Sequence, residues 1–222
     1  MGDPARKAAL YEAFARTGKA LSSGKRLELL DLLAQGERPV DALARAAGLN
    51  LTTASAHLQT LKQAGLVATR RDGVRIHYRL AGNDVAALYA LLRQVARNHQ
   101  DAVEPARSAY LGAEDSEAID RDDLIARARS GEVVVLDVRP AEEYAAGHIP
   151  GALSIPVEEL ADRVAELPED TEVVAYCRGA YCVLAHDAVR LLHARGRRAV
   201  RLTDGMLEWR LAELPVDTEA AA

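Results

Sequence analysis

The 222-residue chain reads as two domains of different class. A mainly α domain holding one β-hairpin comes first, and an α/β domain built on a parallel sheet follows. Three observations predict this. Up to about residue 100 the apolar residues recur at helical spacing, interrupted by one stretch of period two. From Arg121 onward helical segments alternate with short apolar runs, the order of a parallel sheet covered on both faces. Charge divides near the same place: residues 1–98 hold 15 Lys/Arg against 8 Asp/Glu, and residues 99–222 hold 13 against 25. The expected boundaries are 1–100, a linker or helix extension over 101–119, and 120–222.

In the first domain a helix over Leu27 to Leu33 turns Leu29, Leu30, Leu32 and Leu33 toward a core. Val40 to Ala47 forms a short helix closed by Gly48. Asn50 N-caps a second helix running to about Gln63 and closed by Ala64-Gly65. From Leu66 to Leu80 the period changes: Val74, Ile76, Tyr78 and Leu80 alternate with Arg75, His77 and Arg79, with Asp72-Gly73 at the hairpin turn. Asp84 to about Arg97 is helical again, with Val85, Leu88, Leu91, Leu92 and Val95 on one stripe. In the second domain Val133 to Asp137, Val173 to Tyr176 and Ala199 to Leu202 are the strands, and function in such sheets gathers at their carboxyl ends.

Composition sets outer limits. The chain is 49% apolar, ordinary for a globular protein. No apolar run approaches the roughly 20 residues that span a bilayer, and the first ten residues lack the order of a secretory signal. A cytoplasmic protein with no membrane partner is expected. Two cysteines, Cys177 and Cys182, are too few for a disulfide framework.

The pair of short helices joined by Gly48-Leu49 has helix-turn-helix spacing. On its second helix Ala54, Leu58 and Leu61 form the buried stripe. Thr52, Thr53, Ser55, Ala56, Gln59 and Thr60 face outward, small or hydrogen-bonding side chains suited to a major groove. His57 and Lys62 are placed for phosphates, and Arg70, Arg71, Arg75 and Arg79 make the hairpin a basic wing. The strings LSSGKRLELLDLL, LTTASAHLQTLKQAGLV and RRDGVRIHYRL resemble the ArsR/SmtB winged helix-turn-helix repressors from about Leu21 to Leu80. The resemblance implies a homodimer formed through the first and last helices of the domain, reading an inverted repeat in a double-stranded DNA operator. Metal-sensing relatives carry a cysteine pair ahead of the turn. Here that stretch is Glu37-Arg38-Pro39-Val40-Asp41, without a thiol, which excludes cysteine-based sensing in this domain; an oxygen/nitrogen metal site at Asp84 or His99 is the weaker alternative, no metal is expected, and the sensor lies elsewhere or the domain senses nothing.

Cys177 follows the apolar strand ending at Tyr176. The loop Cys177-Arg178-Gly179-Ala180-Tyr181-Cys182 leads into a helix starting at Val183. A strand-to-helix loop turns backbone N–H groups inward, and with the helix dipole and Arg178 it is expected to stabilise a thiolate or persulfide anion at Cys177. Asp137-Val138-Arg139, Glu142-Glu143-Tyr144, Gly147-His148-Ile149-Pro150-Gly151-Ala152 and Asp204-Gly205…Trp209 resemble the rhodanese family over roughly Asp120 to Pro215. The resemblance implies that Cys177 accepts sulfur, that the residues through Val183 form its anion pocket, and that Asp137, Arg139 and the turn at Gly147 to Gly151 are supports, as is His148. Related cysteine phosphatases need an arginine six positions after the nucleophile, where this chain has Val183. Cys182 is either a small side chain starting a helix or a resolving thiol. A metal site at Cys177, Cys182 and His186 lacks a fourth ligand.

Together these residues predict a DNA-binding regulator, a repressor, that responds to a small sulfur donor such as thiosulfate or polysulfide. It needs no cofactor beyond a covalent persulfide on Cys177. The alternatives are a sulfurtransferase working through that persulfide and an interaction module without chemistry.

Overall fold

The computed structural model describes residues 3–112 and 117–219. It divides into two compact units, Met1–Leu91 and Leu92–Ala222.

The first unit opens on α1 (Pro4–Leu21), where the Asp3 side chain accepts from the Ala5 amide at 2.9 Å. The helix α2 (Gly24–Gln35) extends the expected segment by about a turn, and Leu29 and Leu30 on it are fully buried. A two-residue strand β1 (Arg38–Pro39), which the sequence pattern did not suggest, leads into α3 (Val40–Ala46). Gly48 then takes the left-handed backbone at φ 60° that ends the helix. Asn50 caps α4 (Leu51–Gln63) by accepting from the Thr53 amide at 2.8 Å. Ala54, Leu58 and Leu61 on α4 are fully buried, as their one-face spacing requires. The hairpin is β2 (Val67–Asp72) and β3 (Arg75–Leu80), turned at Gly73 with φ 57°, and β1 pairs with β3 on its other edge. The long α5 (Asn83–His99) follows.

The division between units falls inside α5, and Arg93, on the part of that helix assigned to the second unit, donates to Glu208 at 2.7 Å. The stretch 101–119 contains a helix, α6 (Val103–Leu111), and the Arg190 guanidinium meets the Leu111 carbonyl.

The second unit continues with β4 (Ala118–Ile119), α7 (Arg121–Arg129), β5 (Val133–Asp137), α8 (Ala141–Ala145), β6 (Leu153–Ser154), α9 (Val157–Arg163), β7 (Glu172–Tyr176), α10 (Val183–Ala194), β8 (Ala199–Leu202) and α11 (Met206–Leu211). The five strands pair in parallel in the order β4-β8-β7-β5-β6, with β7 at the centre. Alternate side chains enter different cores. Val173, Ala175 and Cys177 pack with Leu160 of α9 and Ala185, Val189 and Leu192 of α10. Val174 and Tyr176 pack on the other face with Leu124 of α7 and Trp209 of α11.

Candidate nucleic-acid face and cysteine loop

The exposed side of α4 carries Thr52, Ala56, Gln59, Thr60 and Lys62, with Thr53, Ser55 and His57 half-buried at its margins. Burial of the three-residue stripe fixes which side faces solvent, so the residues expected to read DNA do lie on one surface. Two are also tied within the domain: Gln59 donates to the Tyr78 hydroxyl at 3.0 Å, and Lys62 to the Thr69 hydroxyl at 3.0 Å. In the wing, Arg71 donates to the Gly73 carbonyl at 3.0 Å and is exposed, as is Arg75. Arg70 differs from the expectation of an outward-reaching cation. Its guanidinium is held by Glu37 at 2.6 Å, with Asp72 at 3.4 Å, because β2 brings it beside the acidic residue that precedes β1.

Cys177 lies at the carboxyl end of β7, the central strand. The period-two pleat points its side chain into the core beneath α10, so it is only 2% exposed. The loop folds back on itself where the Cys182 amide donates to the Gly179 carbonyl at 3.0 Å. This brings the Cys177 Sγ to 3.4 Å from the Cys182 carbonyl and 3.9 Å from that of Gly179. Cys177, Gly179, Ala180, Cys182, His186 and Arg201 border a cavity of about 10 Å³, room for about one atom of water size. Tyr181 does not border it. Its ring lies under the Arg93 guanidinium at 4.8 Å. Val183 is the first residue of α10.

The electrostatics correct the sequence expectation for this loop. Burial, followed by the Cys182 thiol, pushes the Cys177 thiol well above its ordinary range, although backbone hydrogen bonds at Ala185 and Gly179 pull the other way. Cys182 moves down, chiefly through its hydrogen bond with Cys177, with further help from backbone groups at Arg178 and Leu184 and from the Arg178 charge. Arg178 does not face Cys177. Its guanidinium makes a two-pronged contact with Glu143 of α8, at 2.9 Å to each oxygen and 2.6 Å for the second prong. Of the two thiols, Cys182 is therefore the one shifted toward easier ionisation, against the burial that raises it.

Behind the loop, Asp137 and Arg139 form a fully buried pair at 2.5 Å. Arg139 also donates to the Gly147 carbonyl at 2.9 Å, and the Tyr176 hydroxyl donates to Asp137 at 2.6 Å. This network joins the end of β5, the residue before Cys177 and the turn that contains His148. The His148 ring stacks on Tyr144 at 3.6 Å between centroids, away from the cavity. Although Cys177, Cys182 and His186 share the cavity wall, no group of three or more His, Cys, Asp or Glu among the described residues is placed to hold a metal ion. Nor is any helix there long and apolar enough to cross a membrane.

Sequence reasoning missed the support supplied from α11. The Met206 and Leu207 amides donate to the carbonyls of Cys177 and Arg178, each at 3.0 Å, and Glu208 accepts from the Gly205 amide at 3.1 Å. Gly205 packs so closely that a Cβ there would meet the Gly179 amide nitrogen, and would lie 2.5 Å from the Cys177 carbonyl oxygen. The Asp204-Gly205 pair was visible in the sequence, but nothing local showed that it touches the cysteine loop. Arg201 gave no signal beyond its residue type, and Glu143 and His186 were singled out without any sign that one would hold Arg178 and the other border the cavity.

Two family models match the chain: "Bacterial regulatory protein, arsR family" over residues 23–69 and "Rhodanese-like domain" over residues 120–212. The HTH-type transcriptional regulator Rv0324 of Mycobacterium tuberculosis is 59% identical over 219 residues, 99% of this chain and 96% of that protein. A protein of Allochromatium vinosum named "Sulfurtransferase" is 34% identical over 100 residues, 44% of this chain and 92% of its own length. Among solved structures, the homodimeric winged helix-turn-helix DNA-binding domain of Mb0332 from Mycobacterium bovis, a fragment of residues 1–100, is 59% identical. It covers 46% of this chain and 94% of its own, with a TM-score of 0.43.

Proposed function

This chain belongs to the ArsR-type HTH transcriptional regulators and carries a rhodanese-like domain, and from that premise we propose that it is a repressor whose hold on DNA is set by reactive sulfur at Cys177. It acts in the cytoplasm as a homodimer, placing α4 of each protomer in the major groove of an inverted repeat with the wings on the backbone. A small donor, thiosulfate or a polysulfide, modifies the cysteine loop, and the modified dimer has lower affinity for the operator. Such coupling exists only to the extent that the two states bind DNA differently, typically by about 1–3 kcal/mol.

One observation carries the reading: Cys177 ends the central strand beside a cavity of about 10 Å³, a volume that admits a single added atom. The test is a binding titration on a DNA duplex selected from a random pool by the untreated protein. Sodium tetrasulfide or thiosulfate should weaken binding by the wild type at least about tenfold and leave Cys177→Ser unchanged. Equal affinity before and after treatment in the wild type removes the proposal.

The likeness of the second unit to a sulfurtransferase favours a second reading, in which the same persulfide is passed to a thiol or to cyanide. Turnover of thiosulfate with cyanide as acceptor, lost in Cys177→Ser, would support it. No turnover with thiosulfate or polysulfide and either acceptor would leave regulation alone.

A further inference from the structure

Helix α5 is shared by the two units: its residues through Leu91 belong to the first and those from Leu92 to the second. It follows β3 of the wing after only Ala81 and Gly82, and the Ala81 amide donates to the Leu66 carbonyl at 3.1 Å. Arg93 stands ten residues into the helix, about 15 Å along its axis. Two of its partners belong to the cysteine site. Its guanidinium donates to Glu208 at 2.7 Å and lies over the Tyr181 ring at 4.8 Å. Tyr181 is part of the loop. Glu208 accepts from the Gly205 amide, and a Cβ on Gly179 would lie 3.0 Å from its carboxylate. The two side chains of the ion pair are only 15% and 20% exposed, a setting in which a cation and a ring face attract more strongly than in water.

Resting on the reading that sulfur at Cys177 sets the hold on DNA, we propose that Arg93 carries the state of the cysteine loop into α5, and through α5 to the wing. The first half of the loop has little freedom. The Cys177 and Arg178 carbonyls accept from the Met206 and Leu207 amides, Glu143 grips the Arg178 guanidinium, and Gly179 packs against Gly205. When the Cys177 thiolate takes a terminal sulfur from tetrasulfide, a sulfur–sulfur bond forms on the cysteine and trisulfide dianion leaves. The added atom enters a cavity of about 10 Å³ bordered by Ala180 and Cys182, so the second half of the loop yields.

Tyr181 lies in that second half and turns its ring to Arg93. As the ring shifts, the cation held over it follows, and the helix that bears the cation moves with it. Helix displacements of about 1–2 Å are enough to operate such switches. Arg93 touches no reactant. It is a positioning residue, and what it positions is α5.

The test is a ratio of affinities for the selected duplex, before and after equimolar sodium tetrasulfide, with mass spectrometry following sulfur on Cys177. A residue that only supports the fold changes both affinities together, whereas one that couples the sites changes their ratio. The wild-type ratio should be at least about tenfold. Arg93→Gln keeps a donor for Glu208 but offers the ring no charge. It should take up sulfur at the wild-type rate and show a ratio under about twofold. Arg93→Lys, which keeps a cation, should recover most of the response. Should Arg93→Gln fail to fold, Tyr181→Leu removes the ring while sparing the ion pair, and the same collapse of the ratio is expected. A wild-type ratio in the folded variant overturns the proposal and leaves sulfur control of DNA binding intact. An Arg93→Gln protein that no longer takes up sulfur also overturns it, because Arg93 would then serve the loop's chemistry. A wild type that carries sulfur on Cys177 without any change in affinity brings down the underlying reading, and this inference with it.

Discussion

Helix α4 and the cysteine loop both carry candidate functional side chains, yet they treat them in opposite ways. On α4 the apolar stripe of Ala54, Leu58 and Leu61 is buried, which leaves the polar positions in solvent where a macromolecule can meet them. On β7 the alternation that buries Val173 and Ala175 also buries Cys177, so its sulfur faces the core. Outward function costs the fold little, because exposed substitutions rarely disturb packing. Inward function binds chemistry to stability, since the residues that hold the site also hold the core.

The sharpest test of that contrast is Asp137→Ala. It leaves the Arg139 guanidinium fully buried without its carboxylate, a loss of about 3–5 kcal/mol for a broken buried pair. Trp209 is the only tryptophan and lies in the second unit's core, so urea unfolding followed by its fluorescence should show the midpoint falling. An unchanged midpoint would mean that the network is not a support. Next comes Gly205→Ala. Its Cβ meets backbone rather than a flexible side chain, so the cysteine loop or the start of α11 must move, at about 1–3 kcal/mol by analogy with overpacked cores. The rate of sulfur uptake should fall with it, whereas DNA affinity of the untreated protein should not. The third test is alkylation across pH. A lowered thiol ionises at lower pH, and a raised one needs higher pH. Iodoacetamide near neutral pH should therefore label Cys182 at least about tenfold faster than Cys177, the gap narrowing as pH rises through the ordinary thiol range. Faster labelling of Cys177 would reverse that order.

How much of this was readable beforehand follows the same division. Helix α4, its Asn50 cap and its outward face came from local spacing, because one helix's periodicity states which side is buried. The hairpin and the strands β5, β7 and β8 were legible for the same reason, and so was Cys177 as the residue closing a strand. The helix α1 was not located as a separate element: Leu10, Tyr11 and Phe14 are all exposed, so no buried stripe marks it. The electrostatic state of the loop was misjudged. Strand, loop and helix dipole argued for a lowered Cys177, but the decisive facts are tertiary. They are the depth imposed by α10, the capture of Arg178 by Glu143 from α8, and the return of Cys182 over the strand end. Each depends on residues distant in sequence, and none has a local signature.

The smallest expected effect concerns the outward region. Arg75 is exposed in the wing beside the turn, while Arg70 across the hairpin is held by Glu37. If the wing rests on DNA backbone, Arg75→Ala removes one phosphate contact and one released counterion. The slope of log affinity against log salt then falls by about 0.9, and affinity drops a fewfold for every sequence alike. Arg70→Ala should change the slope less, because its charge is already balanced within the domain. A titration series in potassium chloride on the selected duplex measures both. Equal slopes for the two variants would show that Glu37 lets go of Arg70 on DNA, and that the wing's cations act together despite their different settings in the free protein. Neither substitution should alter sulfur uptake, since both lie in the first unit and the cysteine loop in the second.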